Sequence, residues 1–160
     1  MNPSANVTAT LTRLGTDNTL TAIVPTTRMR QLRGNIRNIY TGSTGWPYIV
    51  ISVKSGDAEH AQRMDGFKMQ LEVHIVDKIE SGIDNIVTIM ERVYGDANKT
   101  ASLNGVPSYG LHAHPLVFGS DANGWLGGVM DATGFDFGAD DETQISASMY
   151  FSVFNSRRPA

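Results

Sequence analysis

The chain has no cysteine, which excludes disulfide staples, thiolate nucleophiles and cysteine-based zinc sites together. It is also short of charge. Asp, Glu, Lys and Arg make up 18% of its 160 residues, against roughly a quarter in ordinary soluble domains. The net charge of −3 and the pI near 5.7 give no global pull towards nucleic acid or an anionic membrane. No run nears the roughly 20 apolar residues of a membrane span. The opening MNPSANVTAT lacks the basic-then-apolar pattern of a leader, so assembly in a cytosol is expected. GxSxG, GxxxxGK and HExxH are missing too, which removes the usual support for nucleophile-elbow, nucleotide-loop and metalloprotease chemistry.

What is present is 41% apolar residues and 16 glycines. A chain of this size removes roughly 70% of its unfolded surface from water on folding, and its length suits one domain, residues 1–160. Few charges and many glycines suit a chain that covers part of its surface with partners. The best-specified stretch is Phe67 to Gly95. Met69, Leu71, Val73 and Ile75 alternate with Gln70, Glu72 and His74, the period of a half-buried strand. Asp77 and Glu80 have capping-box spacing. Ile79, Ile83, Ile86, Val87, Met90 and Val93 then form an apolar helical stripe, and Gly95 stands at a left-handed stop.

Before this unit, Ser4 to Gly15 reads as a short helix with Val7, Leu11 and Leu14 inward, capped by Ser4. Asp17 caps a second turn, Asn18 to Val24, that Pro25 ends. Residues 26–40 hold Arg28, Arg30, Arg33 and Arg37 and no acid. Tyr48 to Lys54 is a near-continuous apolar run after Pro47, read as a strand covered on both faces. Residues 55–66, SGDAEHAQRMDG, read as a long polar loop of the kind that contacts partners. Residues 98–140 form an irregular excursion rich in glycine and acid, with short strands expected at Leu111–Phe118 and Val129–Phe135. From Asp121 to Glu142 there are six acids and no base. Thr143 to Phe154 alternates again as a final strand. The sum is an α+β fold: a mainly antiparallel sheet with one long helix and short N-terminal helices packed on one face.

Chemistry is sparse. His112 and His114 would share a face if they lay on a strand and would then reach one metal, but a third ligand is needed. Asp121-Ala122-Asn123-Gly124 opens like a calcium loop without the closing glutamate, and reads as an Asx turn. Asp136-Phe137-Gly138 matches a kinase tripeptide in letters only. Asp140, Asp141 and Glu142 are a solvated acidic trio or a pair of carboxylates. The four arginines have three readings: a phosphate grip, a solvated connector, or a basic strip matched to the acidic 121–142 region. Between copies, the third gives a head-to-tail contact that closes into rings or grows into filaments. Arg28, Arg30, Arg33, Arg37, Asp136, Asp140, Asp141 and Glu142 are the candidate interface residues on that reading.

The order of elements carries a resemblance. LTRLGTDNTLTAIVP leads to WPYIVISV, then a polar segment, MQLEVHIVDK, IDNIVTIMERVY and a last strand ISASMYFSVF. This resembles the tail terminator, or tail-completion, family of long-tailed bacteriophages over residues 5–95 and the final strand. The resemblance implies a non-enzymatic virion subunit without cofactor, forming a hexameric ring at the head–tail junction. Its partners would be itself, the tail tube protein and a neck or head-completion protein, with no membrane and no sequence-specific nucleic acid. The alternatives are another neck or head–tail connector protein and, more distantly, a small metal-assisted hydrolase using His112 and His114. A free ligand-binding module with the apolar excursion as pocket wall is a further one.

Overall fold

The computed structural model describes residues 3–31, 45–61, 64–96, 109–116, 125–139 and 143–157. It shows a mixed α/β fold. Three α-helices are described: α1 (Pro3–Gly15), α2 (Asn18–Ile23) and α3 (Gly82–Tyr94). The strands are β1 (Met29–Gln31), β2 (Tyr48–Ala61), β3 (Met64–Lys78), β4 (Trp125–Leu126), β5 (Met130–Ala139) and β6 (Gln144–Arg157). They form one sheet in the order β1-β2-β3-β6, with β4 and β5 both pairing to β6. β1 runs parallel to β2, and the other described pairs are antiparallel.

The period-two pattern decides which face is inside. Met69, Leu71, Val73 and Ile75 of β3 are fully buried and stand beside Val153, Phe151, Met149 and Ala147 of β6. Ile49 and Ile51 extend the layer to β2. Val7 and Leu14 of α1, Leu20 of α2, and Ile86, Ile89 and Val93 of α3 close the same core. Tyr48 and Val50 point the other way and are buried with Val76 in a second, smaller cluster beside Trp46. The start of β2 is therefore covered on both faces, as its unbroken apolar run implies.

Three local expectations need correction. Residues 55–61 and 64–66 are not a loop: β2 and β3 continue as a long hairpin, paired from Tyr48↔Val76 to Ala61↔Met64 with one irregularity between Val53 and Ser55. A strand is held by its backbone ladder, so a polar sequence can continue one and imitate a loop. Asp77 does not open a capping box. β3 runs on to Lys78, a single 3-10 turn follows, and α3 starts at Gly82 with no side-chain cap on Ser81. The Asp77 carboxylate instead accepts from the Lys78 N–H and from the Asn85 side-chain amide, tying strand to helix. Ser4 lies inside α1, with Pro3 at its first described position, where a missing N–H costs nothing.

Asp17 caps α2 as expected, accepting from Thr19 N (3.0 Å) and Leu20 N (3.3 Å). The buried face of α1 is turned so that two polar residues, Asn6 and Thr10, lie inside with Val7 and Leu14. Asn6 exchanges amide hydrogen bonds with Asn155 of β6 (2.7 and 3.2 Å), and Thr10 donates to the Asn6 carbonyl (2.7 Å). Buried polar groups are tolerated when paired in this way.

Candidate functional site

α3 has more apolar surface than the core can cover. At 100° per residue its apolar side chains span roughly 160° of arc, from Ile89 round to Val87. The core takes Ile86, Ile89 and Val93. Ile83, at 53% exposure, stays outside with Val87 and Tyr94. The expected stripe is thus split: half is core, and half is surface.

β5 faces that exposed half. Its sequence MDATGFDFGA breaks alternation, because Met130 and Ala132 are even-numbered while Phe135 and Phe137 are odd. An irregularity between Ala132 and Gly134 resolves the conflict: Met130 and Ala132 pair with Val153 and Phe151, and Phe135 and Phe137 pair with Met149 and Ala147. One extra residue at Thr133 flips the parity, so all four side chains point to the helix-covered face. Phe135 is 66% exposed even so, because α3 lies over the centre of the sheet rather than its edge. The result is an open groove of about 680 Å³ between α3 and β5, walled by Ile83, Val87, Tyr94, Phe135 and Phe137 and floored by Met149. Its charged lining is Glu91 and Asp96.

The groove's end wall is set by a close backbone crossing. α3 stops at Gly95, whose φ is +109° with an extended ψ, rather than in the left-handed helical well. Returning chain caps it: Leu111 N bonds the Val93 carbonyl (2.9 Å) and His112 N the Tyr94 carbonyl (2.9 Å). Gly110 crosses Gly95 so closely that a Cβ there would lie 2.2 Å from the Gly95 Cα.

The HxH pair lies in this return, and it is a turn rather than a strand. Ala113 between the two histidines has φ +58°, so they do not share a strand face. The His112 ring stacks on Tyr94 (centroids 4.8 Å apart) and its Nδ1 accepts from Ala132 N (3.0 Å). His114 Nδ1 is buried and has no hydrogen-bond partner among the described residues. Burial, then the charge of Arg13, pushes the His114 imidazole below its ordinary pKa. Among the described residues no three His, Asp or Glu side chains converge on a common point.

Of the candidate interface residues, Arg28, Arg30 and Asp136 are described; Arg33, Arg37, Asp140, Asp141 and Glu142 lie outside the described residues. Arg28 Nη1 donates to the Trp46 carbonyl (2.9 Å), and Arg30 Nε to the Thr27 carbonyl (3.1 Å). Asp136 accepts from the Tyr150 hydroxyl (2.8 Å). Arg28 and Arg30 flank or belong to β1, and Asp136 belongs to β5, at opposite sides of the sheet. Basic strip and acidic strand are not joined within the described part of one copy.

The opposite face of the sheet holds a cluster that sequence reading passed over as ordinary polar alternation. The Ser148 hydroxyl donates to Glu72 Oε1 (2.7 Å), and Ser148 Oγ lies 2.8 Å from His74 Nδ1. Lys54 Nζ sits 2.5 Å from Glu72 Oε2. Serine, histidine and glutamate invite comparison with a nucleophilic triad, but the order is wrong. There the histidine takes the serine proton and the acid orients the histidine; here the serine proton is committed to the carboxylate. The cluster ties β2, β3 and β6 together. The signal that finds it is cross-strand register: Glu72 and His74 are two apart on β3, and His74 stands opposite Ser148.

No protein-family model matches the chain, and no curated protein is significantly similar to it.

Proposed function

We propose that this protein is a structural subunit that works by assembly, and that its assembly is a bacteriophage tail-terminator ring. On this reading six copies close a ring on the finished tail tube and present the surface that joins the head; nothing is catalysed. The neighbours would be the tail tube protein below and a neck or head-completion protein above. The observation that carries the assembly reading is the α3–β5 groove. Exposed aromatic and aliphatic side chains gathered in one place mark a surface that is covered in use. The finer α+β description, a mainly antiparallel sheet with helices on one face, fits a subunit of this kind. The element order supports the phage assignment: a 13-residue helix and a short one, a proline-led strand, a long second strand, a further 13-residue helix and a C-terminal strand.

The test is direct. Purified protein, alone and with tail tubes added, is examined by sedimentation and by negative-stain electron microscopy. Rings on tube ends are the expected result. Rings that bind heads or neck complexes but never tubes would move the protein to the connector role. Monomers at every concentration, with or without tubes, would overturn the reading.

A further inference from the structure

The groove has a definite chemical character beyond being apolar. Both charged side chains in its lining, Glu91 and Asp96, are acidic. α3 adds Asp84, and its only cation, Arg92, is held by Asp17. β5 carries no base, and its Asp131 and Asp136 alternate with the groove-facing side chains and so lie on the opposite face of the sheet. Packing this face on itself would set carboxylates against carboxylates, so a two-fold contact of groove on groove is disfavoured. The complement is an edge that carries positive charge.

The same chain holds such an edge on the far side of the sheet. β1 is the terminal strand opposite β5, pairing only with β2 among the described residues. Arg28 and Arg30 sit at it, within a stretch of 15 residues, 26–40, that has four arginines and no acid. Arg30 is exposed, whereas the start of β5 is already bonded on its outer side by the 109–116 return, through Met130 and Ala132. A basic edge and an acidic apolar groove at opposite sides of one sheet suit a head-to-tail contact.

We infer that the α3–β5 groove of one copy receives the β1 edge of a second copy, with the Arg30 side apposed to the acidic rim. The inference rests on the self-assembly reading above and names its contact. It makes association heterologous: every copy has one donor edge and one acceptor groove, which is what ring closure needs.

The experiment uses the full chain and two single variants at exposed positions, Phe135→Glu in the groove and Arg30→Glu at the edge. Each is checked for an unchanged circular dichroism spectrum and melting temperature. Wild type is expected to sediment as an oligomer whose dissociation constant rises with salt, since the contact is partly ionic. Either variant alone should weaken association by about tenfold or more. Mixed in equal amounts, they should form a one-to-one dimer, because the first retains the edge and the second retains the groove. An Arg30→Glu chain that still self-associates fully would overturn the pairing. So would an oligomer that survives Phe135→Glu, while leaving the ring itself in place. A wild-type chain that is monomeric throughout would remove both the contact and the self-assembly reading.

Discussion

Asp17 serves three elements with one side chain. It caps α2, and it receives a two-point ion pair from Arg92 of α3, Nε to Oδ2 at 2.9 Å and Nη2 to Oδ1 at 2.6 Å. The Arg92 guanidinium in turn lies 3.4 Å from the centre of the Tyr109 ring. Burial pushes the Asp17 carboxyl up, but Arg92 and the Leu20 and Thr19 N–H groups outweigh it, and the pKa falls below 3.8. A depressed acid stabilises the fold at pH values above its unfolded pKa, and that contribution is lost as pH falls through the folded value. Asp17→Asn keeps an adequate cap but loses the ion pair, so it should cost about 2 kcal/mol at pH 7. Denaturant titrations of both proteins should show a constant gap above about pH 5 that closes below about pH 4. A gap independent of pH would mean that the charge pair contributes nothing. The Asn6–Asn155 pair makes a second case at this scale. Either single change to Ala removes a buried amide–amide hydrogen bond and should cost about 1–3 kcal/mol. The double change to Ala should cost less than the sum of the singles, and a strictly additive cycle would contradict the pairing.

Elements here are defined where they stop and where they slip. α3 ends because Gly95 turns away with positive φ and the 109–116 return fills its open carbonyls. Gly110 is the point of closest approach, and its own φ of +83° disfavours a side chain as well. Gly110→Ala should therefore cost more than about 2 kcal/mol, read as a lower melting temperature. The same change at Gly134 or Gly138, where no atom lies within 4 Å of an added Cβ, should be nearly neutral. Equal effects at all three would refute the crossing. β5 shows the slip. Its bulge at Thr133 is what aims Phe135 and Phe137 into the groove, so the site depends on one extra residue rather than on a motif.

At the scale of the molecule, the described residues place an apolar groove with acidic lining at the β5 side of the sheet and exposed Arg30 at the β1 side. The groove is the basis for proposing that the protein is an assembling subunit. The clusters that look chemical are tethers: Glu72–Ser148–His74 across the sheet, and His112 on Tyr94 and Ala132 N.

Sequence alone determined the elements whose burial follows a simple period. Alternation in Met69–Ile75 and Ala147–Val153, the Asp17 cap and the stop at Gly95 were all legible, because each depends on residues close in the chain. It did not determine that polar residues would continue the β2–β3 pairing, so residues 55–66 read as a loop. Nor did it show which half of α3 would be covered, how the Thr133 bulge resets β5, or that Asn6 would meet Asn155 across 149 positions. Those depend on where α3 lies over the sheet and on strand register. Both are properties of packing between distant segments, and no local pattern encodes them.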